Sequence, residues 1–129
     1  MKATKEKTIA SFEEACAARD LDPNKIIPDM SVYPPRHHAA MIAHAKMIII
    51  TEALNDGWEP DWNNDDEYKY YPWFYMDKPG FRFGAAGYDC TSTFTTGGSR
   101  LCFRTRALAE YAGKTFIELY RDMMVIPKK

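Results

Sequence analysis

The sequence has no long hydrophobic run, no excess of charge of one sign and no paired cysteine motif. Its longest uninterrupted aliphatic run is Met47 to Ile50, whereas a membrane-spanning helix needs about 20 apolar residues. The first residues, MKATKEKTIASF, are charged and lead into no apolar stretch, so we expect no secretory signal. Three cysteines without a CxxC pair are typical of reduced thiols. These absences predict a cytoplasmic protein that does not insert into a membrane.

The charge of the chain is almost balanced, with 17 basic and 18 acidic side chains and a net charge of −1. Proteins that bind duplex nucleic acid neutralise many phosphates and need a clear excess of Lys and Arg. We therefore expect no bulk binding to duplex DNA. A hydrophobic fraction of 46% in 129 residues is enough for one folded domain, which we take to span residues 1–129.

Local signals predict helices in the first half of the chain. Ser11 and Glu14 have the spacing of a capping box, which predicts a helix over 12–19. Four prolines within 22–35 indicate a rigid connector. Apolar residues at helical spacing then predict a long helix over 35–56.

The second half of the chain is predicted to contain three strands and a closing helix. Aromatic and alternating patterns indicate strands over 67–76, 81–88 and 100–104. Thr105 is a suitable N-cap for a helix over 106–123. The predicted order is α-α-β-β-β-α, an α+β fold in which a small antiparallel sheet of about three strands packs on helices.

Two features of the strand region leave alternatives open. Pro72 lies inside the first predicted strand, so that strand either lies at the edge of the sheet or contains a bulge, and a shift of phase would exchange its two faces. Residues 89–99 form either a loop or a short Thr-rich strand.

Alternation along the strands predicts which side chains face away from the helices. In the second strand, Phe81, Phe83 and Ala85 are expected to face inward and Arg82, Gly84 and Ala86 outward. In the third strand, Leu101 and Phe103 are expected to face inward and Cys102 outward. In the first strand, the charged ends Lys69 and Asp77 indicate that Lys69, Tyr71, Trp73 and Tyr75 face outward. The resulting outer face carries three aromatic and three arginine side chains: Tyr71, Trp73, Tyr75, Arg82, Arg100 and Arg104.

This predicted face has two interpretations. Aromatic rings stack on unpaired bases and arginines bind phosphates, so the face is suited to single-stranded nucleic acid or a nucleotide. Exposed aromatic patches also mark protein interfaces, including interfaces between copies of one chain. The two hypotheses are a non-enzymatic binding module and a homo-oligomeric structural or assembly protein.

The acidic loop 56–67 is a candidate metal site. Asp61, Asn63 and Asp65 match the first half of a calcium loop, but Asp66 replaces the required glycine and Pro72 replaces the final glutamate. The interpretation is therefore a solvated loop, with these three residues as weak candidate ligands. No catalytic constellation is recognisable, and no cofactor is implied. A metal-dependent enzyme using this loop is the third and least favoured hypothesis.

Several motifs, read together, resemble a known family. They are GWEPDW (57–62), YKYYPWF (68–74), GSRLCF (98–103), LAEYAG (108–113) and SFEEAC (11–16). The chain resembles a family of small uncharacterised proteins encoded by phages and prophages of Bacteroidetes gut bacteria. The resemblance implies a context, a phage accessory factor or assembly component in the host cytoplasm. It implies no activity and no catalytic or binding residues.

Overall fold

The computed structural model of the protein describes residues 9–93 and 100–127, and its architecture is α+β. Four helices and two strands follow one another as α1 (Phe12–Ala18), α2 (His38–Asn55), β1 (Lys69–Tyr75), β2 (Arg82–Asp89), α3 (Arg106–Thr115) and α4 (Ile117–Met124). None of the helices in the described ranges combines the length and apolarity needed to cross a membrane. The open choice between loop and strand for 89–99 falls mostly on residues 94–99, which lie outside the described residues.

Two helices begin at the predicted caps. The Ser11 hydroxyl accepts a hydrogen bond from the Glu14 amide at 3.1 Å, and the Glu14 carboxylate accepts one from the Ala10 amide at 2.6 Å. The return bond of the capping box thus reaches one residue further back than the usual pattern. At α3, the Thr105 hydroxyl accepts from the Leu108 amide at 3.1 Å. Both caps satisfy amides that a helix start leaves without intrahelical partners.

The long predicted helix is present with a modified first turn. Pro35–His37 form a short 3₁₀ helix, and α2 follows directly from His38. The helix ends where Asp56 and Gly57 adopt left-handed conformations, with φ of 50° and 88°. Such a termination reverses the chain direction and starts the acidic loop beside the end of α2.

The closing helix was predicted as one element over 106–123, and this prediction is wrong. Phe116, with φ −109° and ψ 30°, interrupts the helix and separates α3 from α4. The interruption changes the direction of the chain, so that α3 packs on the two strands and α4 packs on α2. The buried ring of Phe116 holds the junction in the core.

Within the described residues the sheet has two antiparallel strands, β1 and β2, where about three were predicted. Of the segment 100–104, only Phe103 pairs with β1, through two backbone hydrogen bonds to Tyr70. The Asn55 side chain donates to the Cys102 carbonyl at 2.9 Å and accepts from the Arg104 amide at 3.0 Å. The Asn55 side chain thereby holds the backbone on both sides of Phe103 next to the end of α2. The segment 100–104 consequently makes one β-bridge to β1 in place of a full strand. Cys102 is buried there, not facing outward as predicted.

Pro72 is accommodated without loss of a bond between the strands. Because the N–H and C=O of Tyr70 bond Phe103, they point away from β2, and backbone groups two residues along point the same way. The N–H that Pro72 lacks would therefore have pointed away from β2 as well. Pro72 itself pairs with Ala86.

A bulge at Gly84 changes the faces of β2. Trp73 pairs with Ala85 and Phe74 pairs with Phe83, so Gly84 is the extra residue on β2. An extra residue reverses the alternation beyond it. Ala85 is consequently exposed and Ala86 is buried, the opposite of the prediction from simple alternation.

One hydrophobic core joins the helices to the inner face of the sheet. Phe103 and Met47 are fully buried, and Tyr120 of α4 packs on Phe74 of β1 with 4.9 Å between ring centroids. The contact between α3 and the sheet is tighter still, since a Cβ at Gly113 would lie 2.6 Å from the Phe83 ring and 2.8 Å from Pro72 Cβ.

The substitution Gly113→Ala tests this close contact. Helix propensity alone favours Ala over Gly by about 1 kcal/mol, but overpacking against two strands costs about 1–3 kcal/mol. We expect the free energy of unfolding, measured by urea denaturation, to fall. Ala107→Gly, at an exposed position of α3, is the control and should show only the loss from propensity. A rise in stability for Gly113→Ala would contradict the packing described.

Candidate functional site

The outer face of the sheet begins with a fully buried lysine. Lys69, the first residue of β1, has 0% exposure. Its ammonium group donates to the carbonyls of Asn64 at 2.9 Å and Cys90 at 2.6 Å, and lies 3.5 Å from the Glu67 carboxylate. A buried charge is tolerated only when it is paired and hydrogen-bonded in this way. The sequence pattern predicts Lys69 on the outer face, but it does not predict that another segment of the chain covers this side chain.

The cover is the acidic loop 56–67. Trp62 places its ring over the Lys69 ammonium, 5.2 Å from the ring centroid. Glu67 fastens the loop internally, because its carboxylate accepts from the Trp58 indole at 3.1 Å and from the Asp61 amide at 2.7 Å. The loop therefore closes over the start of β1. The far half of the outer face, where Trp73 and Tyr75 are about half exposed, is called the open half below.

Tyr71 lies at the boundary between the covered and open halves and is 6% exposed. Its hydroxyl donates to Asp89 at 2.9 Å. Burial, followed by the Asp89 carboxylate, raises the pKa of Tyr71 to about 12. The Tyr71 ring lies beside the Trp73 ring, with 6.2 Å between the ring centroids.

The open half presents two aromatic rings seated on glycines. Trp73 and Tyr75 are 53% and 55% exposed. A Cβ at Gly87 would collide with the Trp73 indole, and one at Gly84 would lie 3.2 Å from the Tyr75 ring. Both rings therefore lie close against the backbone of β2, because glycine has no side chain that would hold them further from it. We call Trp73, Tyr75 and Arg82, with the two glycines beneath, the hairpin face.

Arg82 is the one predicted arginine on the hairpin face. Its guanidinium lies over the Tyr75 ring, 4.7 Å from the centroid. It also donates to Asp77 Oδ1 at 3.2 Å and to the Gly80 carbonyl at 2.8 Å. Arg82 is thus held in place by the turn, and its charge is partly compensated by Asp77.

The other two predicted arginines lie elsewhere. Arg100 lines a recess beside the C-terminal end of α2. The backbone amide of Arg104 bonds the Asn55 side chain, also at the end of α2. The structure therefore brings together Trp73, Tyr75 and Arg82 of the six predicted residues, with Tyr71 buried beside them. The reason is the missing third strand, which was to carry Arg100 and Arg104 into the sheet.

Of the three weak candidate metal ligands, Asp61 uses its side chain in a turn of the loop. Asp61 Oδ1 accepts from the Asn63 amide at 3.0 Å, and Asn64 Oδ1 accepts from the Asp66 amide at 3.0 Å. Within residues 9–93 and 100–127, no three His, Cys, Asp or Glu side chains are grouped so that they could hold a metal ion.

Two features of the hairpin face escaped the sequence analysis. The first is the hydrogen bond from Tyr71 to Asp89, and the second is the pairing of Gly87 with Tyr71. Both are recognisable only once the register of the hairpin is known. The signal available in the sequence was the pair of glycines in β2, since glycine within a strand often marks a bulge or a close approach.

The chain was compared with models of known families, with characterised proteins and with solved structures, and nothing matched. The interpretation of the hairpin face therefore depends on its own geometry.

The raised pKa of Tyr71 predicts a specific pH dependence of stability. The folded state disfavours the phenolate, so the stabilisation is complete below the unfolded pKa of about 10 and is lost as the pH rises toward 12. We expect Tyr71→Phe to show a smaller decline of the free energy of unfolding over this range than the parent protein. Urea denaturation at several pH values measures it, with the exposed Tyr33→Phe as control. An unchanged decline in Tyr71→Phe would contradict the burial of this hydroxyl.

Proposed function

We propose that this protein is a non-enzymatic binding protein whose hairpin face takes unpaired bases of single-stranded nucleic acid, or a nucleotide, by stacking on Trp73 and Tyr75. The observation that carries the proposal is the half-exposed pair of rings that lie against Gly84 and Gly87, with the buried Tyr71 ring beside Trp73. Rings that are already held in position lose little conformational entropy when a ligand stacks on them. Arg82 lies beside them and can approach a phosphate.

The size of the face favours a small flat ligand over a stable protein partner. A covered Trp or Tyr buries about 150–250 Å². Since about half of each ring is already covered, the two rings offer about 250 Å² together, so a protein partner would have to contact many further residues to reach the about 800 Å² that each side of a standard interface contributes. Two stacked bases need no more than the two rings.

The two rings and the single arginine of the hairpin face also determine how tightly nucleic acid should bind and how strongly its affinity should depend on salt. Stacking contributes about 1–3 kcal/mol per base, so two bases and one arginine predict a dissociation constant of about 0.1–1 mM. Each neutralised phosphate gives a slope of about −0.7 in log K against log salt for single strands. With Arg82 as the main cation, a fourfold rise in salt should weaken binding only about two- to threefold.

The cellular context of the proposal comes from the sequence motifs. Their resemblance to phage and prophage proteins of Bacteroidetes supports a role in the cytoplasm of an infected or lysogenic host. An accessory factor that handles unpaired nucleic acid is consistent with both the resemblance and the hairpin face.

The test is an NMR titration of the ¹⁵N-labelled protein with single-stranded oligothymidylate and oligoadenylate. We expect saturable shifts of β1 and β2 amides, and a loss of affinity of at least about tenfold in Trp73→Ala/Tyr75→Ala, since two stacking contacts are removed. Gly87→Ala should weaken binding as well, because its Cβ displaces the Trp73 ring.

The matched control is Tyr68→Ala/Tyr88→Ala. These two tyrosines stack on each other on the opposite face of the same hairpin and are 43% and 48% exposed. This variant should bind like the parent protein. Equal affinity in Trp73→Ala/Tyr75→Ala would refute the proposal, as would a dimer in native mass spectrometry that the same substitutions dissociate.

A further inference from the structure

The hairpin face has a direction, because its two rings belong to one strand. Trp73 and Tyr75 lie two residues apart in β1, and a strand advances about 3.3 Å per residue. Two neighbouring bases stacked on these rings therefore follow each other along β1. One end of the stacked pair lies towards the loop 56–67, and the other lies towards the connection 76–81 between the strands, which we call the hairpin turn.

The stacking surface ends on the side of the loop 56–67. The next side chain of the same face in that direction is Tyr71, which is only 6% exposed. Beyond it, Lys69 is fully buried and lies under the ring of Trp62. Neither residue offers a ring or a charge to a third nucleotide. A strand that continued past Trp73 in this direction would gain no further stacking contact.

The charges on the loop side repel a phosphate backbone. The loop contains no basic residue and six acidic ones: Asp56, Glu59, Asp61, Asp65, Asp66 and Glu67. The ammonium group that the loop covers, that of Lys69, is already bonded by two carbonyls and paired with one carboxylate. The Asp89 carboxylate, which accepts from Tyr71, adds negative charge beside Trp73. Each further nucleotide in this direction would bring a phosphate closer to like charges, which is unfavourable.

The side of the hairpin turn has the opposite charge. Arg82 lies over the Tyr75 ring, and Lys78 is exposed in the turn. The one acid of this segment is Asp77, which pairs with Arg82 at 3.2 Å. Two basic side chains against one acidic side chain leave one positive charge, so a phosphate backbone is attracted on this side.

We infer that the hairpin face binds the end of a single strand and not an internal stretch. The terminal base stacks on Trp73 beside the closed loop, and the next base stacks on Tyr75. The rest of the strand leaves over the hairpin turn, past Arg82 and Lys78. The inference rests on the proposed function and adds which part of a strand is bound. The bound end carries a hydroxyl group, because a terminal phosphate would lie beside Asp89 and the acidic loop.

The test uses three single-stranded hexanucleotides that differ only in where their bases are. Each contains two adjacent thymidines and four abasic residues, with the thymidines at the 5′ end, in the centre or at the 3′ end. All three therefore carry the same charge and offer one pair of stacking bases. Binding is followed by the NMR shifts of the β1 and β2 amides as each probe is added.

We expect one of the two end placements to bind most tightly, and its identity gives the polarity of the bound strand. The central placement should bind at least about fivefold more weakly, because two of its nucleotides have to pass the carboxylates beside Trp73. The opposite end placement should bind most weakly, since its whole abasic segment points towards the loop. A phosphate added to the preferred end should weaken binding further.

A pair of charge variants separates the effect of the loop from that of net charge. Asp65→Asn/Asp66→Asn neutralises two exposed acids of the loop and should reduce the difference between the preferred end and the centre. The control Glu13→Gln/Asp20→Asn changes the net charge equally at exposed positions on and just after α1, and it should leave the difference as it is.

The possible failures of this inference and of the proposed function can be told apart. Equal affinity for the three placements, or tightest binding of the central one, would overturn the inference and leave the proposed stacking function in place. A difference between end and centre that Asp65→Asn/Asp66→Asn does not reduce would contradict the role given to the loop. Absence of binding by all three probes and by oligothymidylate would refute both proposals.

Discussion

The burial of one ammonium group determines how the surface of this protein is divided. Lys69 opens β1 with no exposure to solvent, and its charge is balanced by two carbonyls and the Glu67 carboxylate. An ammonium group at this depth would be strongly unfavourable without these partners. Two of the three come from the loop 56–67, so the loop has to stay closed over the sheet for the lysine to remain buried.

The closed loop produces two different surfaces from one aromatic-rich strand. Over the first residues of β1, the loop places Trp62 above Lys69 and encloses the ammonium group. Beyond Tyr71, Trp73 and Tyr75 are about half exposed and lie against the glycines of β2. Enclosure at one end and exposure at the other are therefore consequences of the same packing.

Local features of the fold were predictable, whereas those that depend on tertiary contacts were not. The caps at Ser11 and Thr105 involve residues three apart in sequence, so the pattern is sufficient to identify them. The reduction of the third strand depends on Asn55, whose side chain bonds backbone groups 47 and 49 residues away. The bulge at Gly84 needs the register of the hairpin. Neither the contacts of Asn55 nor the register of the hairpin can be inferred from the periodicity of apolar residues along the sequence.

The hairpin face was predictable only in part for the same reason. Alternation correctly grouped Trp73 and Tyr75 with Arg82, because these residues lie on two strands joined by a short turn. It also grouped Arg100 and Arg104 with them, which required a strand that the chain does not complete. Lys69 was assigned to the correct face, but a sequence pattern does not reveal that a loop covers that face.

The central claim, that Lys69 holds the loop over the sheet, is tested most directly by amide hydrogen exchange in Lys69→Met. Methionine keeps the length of the side chain and removes the ammonium group, and Lys78→Met in the exposed turn is the control. The account predicts that the Asp61 amide and the Trp58 indole exchange much faster in Lys69→Met, while the amides of α3 and α4 keep more of their protection. Unchanged protection of Asp61 and Trp58 would contradict it.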